Sequence, residues 1–207
     1  MGDFVKDEVQ LIFSSGKIPN YLNRTLITLI PKCLNPESLG NYRPISLCNS
    51  IDKVVSKIIV AQIRPKLPKL VSPLETGFVS GRNGVDNAII VQELVHSMSK
   101  MKGRSGVMTI KINLEKAYDH LEWSFIRDTL KLFKLPISLI SLIMSCMSTS
   151  TISVLFTGGV LESFCPTRGI RQGDPLFPYL FILCMEVLGA MITEKCNEKL
   201  WNPARAS

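Results

Sequence analysis

The stretch Arg168-Gly169-Ile170-Arg171-Gln172-Gly173-Asp174-Pro175 concentrates more ligand-binding chemistry than any other part of the chain. Its two glycines permit close approach of backbone to a ligand. Arg168, Arg171 and the amide of Gln172 bring donors for phosphate, sugar or base. A helix opening near Pro175 turns its positive end into the same space. A simple turn has no need of so many donors. Earlier in the chain, Ile110-Lys111-Ile112-Asn113 runs into Leu114-Glu115-Lys116-Ala117-Tyr118-Asp119. A strand that ends in a polar residue and feeds a turn and helix presents that residue to a cleft. Phosphoryl transfer there calls for a carboxylate at the strand end to hold Mg²⁺. Asn113 offers only a neutral carbonyl oxygen, and a plain strand followed by a helix cap explains the spacing equally well.

Two further segments carry cations. Leu29-Ile30-Pro31-Lys32 is followed by Asn41-Tyr42-Arg43-Pro44-Ile45-Ser46-Leu47, so Lys32 and Arg43 could form a clamp for phosphate oxygens. Taken singly, they read as ordinary surface charge. In Thr76-Gly77-Phe78-Val79-Ser80-Gly81-Arg82 the glycines suit a tight loop, and Arg82 could touch a template backbone or simply belong to a connector. His96 and His120 have no second His or Cys at ligand spacing and read as structural. No G-x-S-x-G elbow is present, which removes support for Ser-His-Asp hydrolysis.

Periodicity supplies the elements that must position these residues. It predicts a helix over 5–13, a strand over 26–30 stopped by Pro31, and a loop over 32–43. A helix over 50–70, capped by Asn49 or Ser50 and broken at Pro65, precedes a turn-rich connector over 71–84. An amphipathic helix over 85–101, a loop over 102–106 and a clear β-branched strand over 107–112 come next. Helices over 121–133 and 137–147 are separated by Pro136. A hairpin of 151–156 with 160–164 turns across Gly158-Gly159, and a loop over 166–174 leads into a last helix beginning at Pro175. Strands and helices mix without a βαβ alternation, which predicts an α+β fold.

Composition sets the outer bounds. With 207 residues and 46% apolar content, the chain can bury one good-sized core and is no disordered segment. Lys and Arg number 24 against 17 Asp and Glu, a net charge of +7 that favours polyanionic partners. Six cysteines without a C-x-x-C pair predict free thiols in a reducing, intracellular setting, nucleus or cytoplasm, for a protein that is not secreted. The apolar window 176–192 contains Pro178 and Glu186 and reads as a buried core helix, so no membrane partner is expected.

Taken in order, LIPK at 29–32, YRPISLCN at 42–49, GFVSGR at 77–82, KINLEKAYDHLEW at 111–123 and RGIRQGDPLFPYLF at 168–181 resemble the reverse transcriptases of LINE-like, non-LTR retrotransposons, most of all those of plants. Five ordered motifs make this resemblance specific, and it covers about 2–188. It implies a fingers-and-palm fold that copies RNA into DNA with two Mg²⁺ ions, with an RNA template and a DNA primer as partners. By that resemblance residues 1–106 are mainly fingers, 107–192 a portion of the palm and 193–207 a tail, the thumb being absent. It implies that Lys32 and Arg43 hold the incoming triphosphate. Tyr118 lies beneath the sugar, and Gln172 and Gly173 contact nucleotide and template. Arg82, Arg168 and Arg171 are then template contacts.

Departures from the family pattern bear on activity. Where the family has a metal-binding Asp this chain has Asn113, so no metal site is expected to be intact. The family's Asp-Asp box on a later hairpin is not reached before Ser207, and no two aspartates are adjacent anywhere in the chain. Clustered carboxylates are what offset the repulsion between two divalent ions. The resemblance therefore implies a polymerase fragment that does not catalyse, or else a module that binds RNA or RNA/DNA hybrid without chemistry. Asp52 stands where the family tends to have Tyr, Gln62 for Arg, Glu75 for Gln and Phe177 for Ser. Phe177 is expected to overpack the start of the palm helix, at about 1–3 kcal/mol.

Overall fold

A computed structural model describes residues 2–101, 106–156 and 158–203. Helix α1 (Gly2–Ser15) leads into strand β1 (Arg24–Pro31). A 3-10 turn at Leu39–Asn41 precedes strand β2 (Tyr42–Cys48) and helix α2 (Ser50–Ile63). Short helix α3 (Leu67–Leu70) and helix α4 (Gly84–Lys100) follow. The single turn α5 (Ala117–His120) then opens a run of two longer helices, α6 (Trp123–Leu132) and α7 (Ile137–Ser148). Strands β3 (Thr151–Phe156) and β4 (Gly159–Val160) precede the longest helix, α8 (Phe177–Asn197).

The four strands form one mixed sheet in the order β2-β1-β3-β4. β1 pairs antiparallel with β2, with Ile30 opposite Arg43, and parallel with β3, with Thr25 opposite Ile152. The α+β reading holds. The expected hairpin forms, although its second strand is reduced to Gly159–Val160 and a lone bridge between Ile152 and Phe164. β2 is a correction, because Arg43 lies on a strand and not in a loop. The proline at position 44 disguises the strand. It is tolerated because β2 is the sheet edge, where a missing N–H disturbs little.

Helix α2 begins as expected: the Asn49 side chain accepts from the backbone N–H of Ile51 at 3.0 Å. Pro65 ends regular α-helix through a 3-10 turn at Arg64–Lys66. The core is made where α1, α2, α6, α7 and α8 meet. Ile12, Val55, Ile59, Ile126, Ile143 and Leu183 are each wholly buried there.

Helix α8 starts at Phe177 with Pro178 in its first turn, two residues later than expected, because the Asp174 carboxylate accepts from the backbone N–H of Leu176 and ends the loop there. By length and composition α8 is apolar enough to cross a membrane, with a mean hydropathy of 1.5. Its first half (Phe177, Leu180, Leu183) is nevertheless built into the core.

One expected strand does not form. Residues 107–112 form no strand: Val107 through Leu114 are irregular and exposed. A β-branched run becomes a strand only against a partner, and no described strand lies beside it. Helix α4 forms where expected, but none of its residues is buried, with Val85, Ile89 and Val95 about half exposed. The expected loop at 102–106 falls almost wholly outside the described residues. All six cysteines are free, Cys146 and Cys184 buried, Cys33 and Cys165 exposed.

Candidate nucleotide and nucleic-acid site

The 168–174 loop is fixed by backbone before any side chain takes part. The N–H of Gly169 donates to the carbonyl of Leu121 at 2.7 Å, and that of Ile170 to Tyr118 at 2.8 Å. The Trp123 indole donates to the carbonyl of Gly169 at 2.8 Å. On the other side, the N–H of Ser46 in β2 donates to the carbonyl of Gln172 at 2.8 Å. Gly173 lies against that strand with φ +106°, and an added Cβ would stand 2.9 Å from the Ser46 carbonyl oxygen. Only glycine fits there. The loop thus bridges α5 and the sheet edge, and this fixes where Gln172 points.

A cleft of about 770 Å³ opens beside this bridge, lined by Lys32, Arg43, Lys116, Asp119, Gln172 and apolar residues of β1, β2 and β3. Three residues singled out as nucleotide contacts, Lys32, Arg43 and Gln172, therefore meet at one place. Lys32 Nζ donates to the carbonyl of Gly40 at 2.9 Å, and both residues line the cleft. Tyr118 and Gly173 line a smaller neighbouring cavity of about 310 Å³ with Gln172. The Tyr118 ring stacks on Phe181, centroids 4.8 Å apart and 19° between planes, and burial raises the phenol's pKa. Lys116 enters α5 with a left-handed φ of +49°.

The three arginines assigned to the template occupy different environments. Arg168 is half exposed, its guanidinium 3.6 Å from the Glu122 carboxylate. Arg82 is a staple of the connector: Nη1 donates to the carbonyls of Ser72 and Glu75, and Nη2 to that of Pro68. Arg171 is a correction, since its guanidinium is inside the protein and not presented to solvent. Nη1 donates to Asn23 Oδ1 at 2.8 Å and Thr25 Oγ1 at 2.9 Å, and Nη2 to the carbonyl of Cys146 at 3.2 Å. Asp52 and Asp174 lie 3.0 Å and 3.4 Å from it, and the Phe177 ring covers it with its centroid 5.2 Å away. Phe177, expected to overpack, is the lid of this cation.

Sequence reasoning missed Asn23, which is fully buried. Its amide donates to the carbonyl of Cys146 and the hydroxyl of Thr149, both at 2.8 Å, while its oxygen accepts from Arg171. No local pattern announces such a residue, since its partners are more than 100 positions away.

The donor set does not fit a pair of divalent ions. Asn113 is exposed, lies in the irregular 106–116 segment, and lines none of the cavities described above. Among the described residues, Asp119 is the one carboxylate lining the cleft, together with Lys116 and Lys32. Cys48, Asp52 and Asp174 do bring ligand atoms to within 4.8 Å of one another, but the guanidinium of Arg171 already supplies the cation among them.

Residues 30–202 match the family described as reverse transcriptase (RNA-dependent DNA polymerase), and the chain belongs to that family. Several of its relatives are retrovirus-related Pol polyproteins of retrotransposable elements. It is 28% identical over 94% of its length to the retrovirus-related Pol polyprotein from the type-2 retrotransposable element R2DM of Drosophila melanogaster. It is 25% identical over 84% to the transposon TX1 uncharacterized 149 kDa protein of Xenopus laevis. A short stretch of 26 residues, 13% of the chain, is 73% identical to an uncharacterized mitochondrial protein of Arabidopsis thaliana, of which it covers 21%. The chain spans only 18% and 13% of the first two relatives.

Proposed function

We propose that this chain is part of a retrotransposon reverse transcriptase that keeps the nucleotide- and template-binding face of the fold and does not itself transfer nucleotides. The carrying observation is the contrast between two places. Lys32, Arg43 and Gln172 converge on one cleft, whereas the family's metal-binding position holds Asn113, exposed and outside it. The family implies divalent metal, and this chain offers its matched position a neutral amide. Residues 1–106 are assigned to fingers and 107–192 to palm, and the short Arabidopsis match favours a plant element.

In the cleft, Lys32 and Arg43 bind phosphate oxygens, Arg43 with the fork geometry that suits two of them at once. Gln172 offers an amide to a base or sugar, and Tyr118 lies beside it as a stacking floor held by Phe181. Arg168, which does not line this cleft, is free to reach a template phosphate at small cost because its ion pair with Glu122 is half exposed.

A second reading, a module that holds RNA or RNA/DNA hybrid in its own right, is favoured by the +7 charge. One titration serves both readings. Fluorescence anisotropy of a labelled RNA/DNA primer–template is expected to show binding that weakens steeply with salt. Primer extension with Mg²⁺ and nucleoside triphosphates is expected to give no product, and none after Asn113→Asp. Extension by the unmodified chain would overturn the inactive reading, and salt-independent or absent binding would overturn the binding one.

A further inference from the structure

Two carboxylates share one guanidinium in an interior closed to water: Asp52 is 0% exposed, Asp174 2% and Arg171 7%. Asp174 is well supplied with donors. Ser56 Oγ donates to its Oδ2 at 3.1 Å, and the N–H of Leu176 to its Oδ1 at 2.9 Å. Asp52 is not. Arg171 Nη1 stands 3.0 Å from its Oδ2, yet neither carboxylate oxygen accepts a well-directed hydrogen bond. That nitrogen already donates to Asn23 and Thr25. Around Asp52 stand Cys48 from β2, Cys146 from α7, Arg171 and Asp174 from the loop, and Lys53 on its own helix. Of these, only Arg171 and Lys53 carry positive charge. A buried anion whose one close donor is shared and poorly directed is costly, and the remedy open to a carboxylate is to keep its proton.

We propose that protonation of Asp52 is a switch that seats the 168–174 loop. With Asp52 neutral, Arg171 serves Asp174 alone and the loop is locked onto β1 and α7. With Asp52 ionised, a second buried anion competes for the same guanidinium and the seat loosens. Burial pushes Asp52 up from 3.8 to about 6, opposed by Arg171 and reinforced by Asp174, and burial raises Asp174 as well. An acid whose pKa is higher in the folded state binds its proton more tightly there. Its contribution is therefore full at low pH and is lost as pH climbs from the unfolded value through about 6. Paired surface carboxylates run the other way.

The loop carries its own reporter, since the Trp123 indole is hydrogen-bonded to Gly169. In the full chain with Trp201→Phe, Trp123 emission is expected to shift with a midpoint near pH 6, and Asp52→Asn, which mimics the protonated acid, is expected to abolish the shift. Urea titration should give a folding equilibrium constant about tenfold larger at pH 5 than at pH 8 from this group, and that factor should be lost in Asp52→Asn, which leaves only the pH dependence of the other carboxylates, Asp174 among them. A pH-independent parent, or a pH 5 to pH 8 difference of the same size in Asp52→Asn as in the parent, overturns the proposal. Should Asp52→Asn fail to fold, isotope-edited infrared spectroscopy of the unsubstituted chain decides. A buried protonated carboxyl band at pH 5 that is gone at pH 8 supports the switch, and its absence at pH 5 overturns it.

Discussion

Arg171 shows how one residue type can be read for the wrong reason. In the sequence it stands in a donor-rich loop between two glycines, where an arginine suggests phosphate. Its side chain instead turns inward to Asn23, Thr25 and two aspartates, and it is Gln172 that reaches the cleft. Removing a buried cation strands the carboxylates around it, so Arg171→Ala is expected to destabilise the chain by about 3–5 kcal/mol, read as a drop in urea midpoint. The same substitution should leave the salt slope of primer–template binding unchanged in whatever fraction remains folded. Gly173→Ala is a second test at this scale. It forces a Cβ to 2.9 Å from the Ser46 carbonyl in a left-handed backbone, with an expected loss of about 1–3 kcal/mol by thermal or urea unfolding.

Among the elements, legibility followed the locality of the signal. α2, α6 and α7 were readable because their apolar spacing, the Asn49 cap and the Pro136 break are all written within a few residues. β2 was not, because Pro44 hides an edge strand whose existence depends on β1. The 107–112 run misled in the opposite direction, with a strand's composition and no described neighbour to pair with. Of the site, Lys32, Arg43 and Gln172 were legible as chemistry, whereas the pairing of Arg171 and Asp174 with Asp52, more than 100 residues earlier, is one that no local pattern announces. The contrast between α8 and α4 can be measured. Amides in the first half of α8 should exchange with solvent only on global unfolding, and those of α4, which buries no side chain, should exchange far sooner.

For the whole molecule, the sum of charge sets how strongly it attracts a polyanion. A net +7 arises from cations spread along the chain, so attraction to a polyanion is long-ranged and falls with ionic strength. The cleft should focus it. Replacing both Lys32 and Arg43 by Ala is expected to lower the slope of log K against log salt by about 1.4–1.8 for two phosphate contacts, whereas Arg82→Ala should lower stability and leave the slope alone. Slopes measured for the parent and each variant between low and moderate salt check both statements.

The free cysteines give the chain a built-in stain. Cys33 and Cys165 face solvent, while the thiols of Cys146 and Cys184 are enclosed, and burial pushes that of Cys184 up to about 11. A maleimide pulse therefore tags the outer pair quickly and the enclosed pair only when the interior parts, so tag number by mass spectrometry counts openings molecule by molecule.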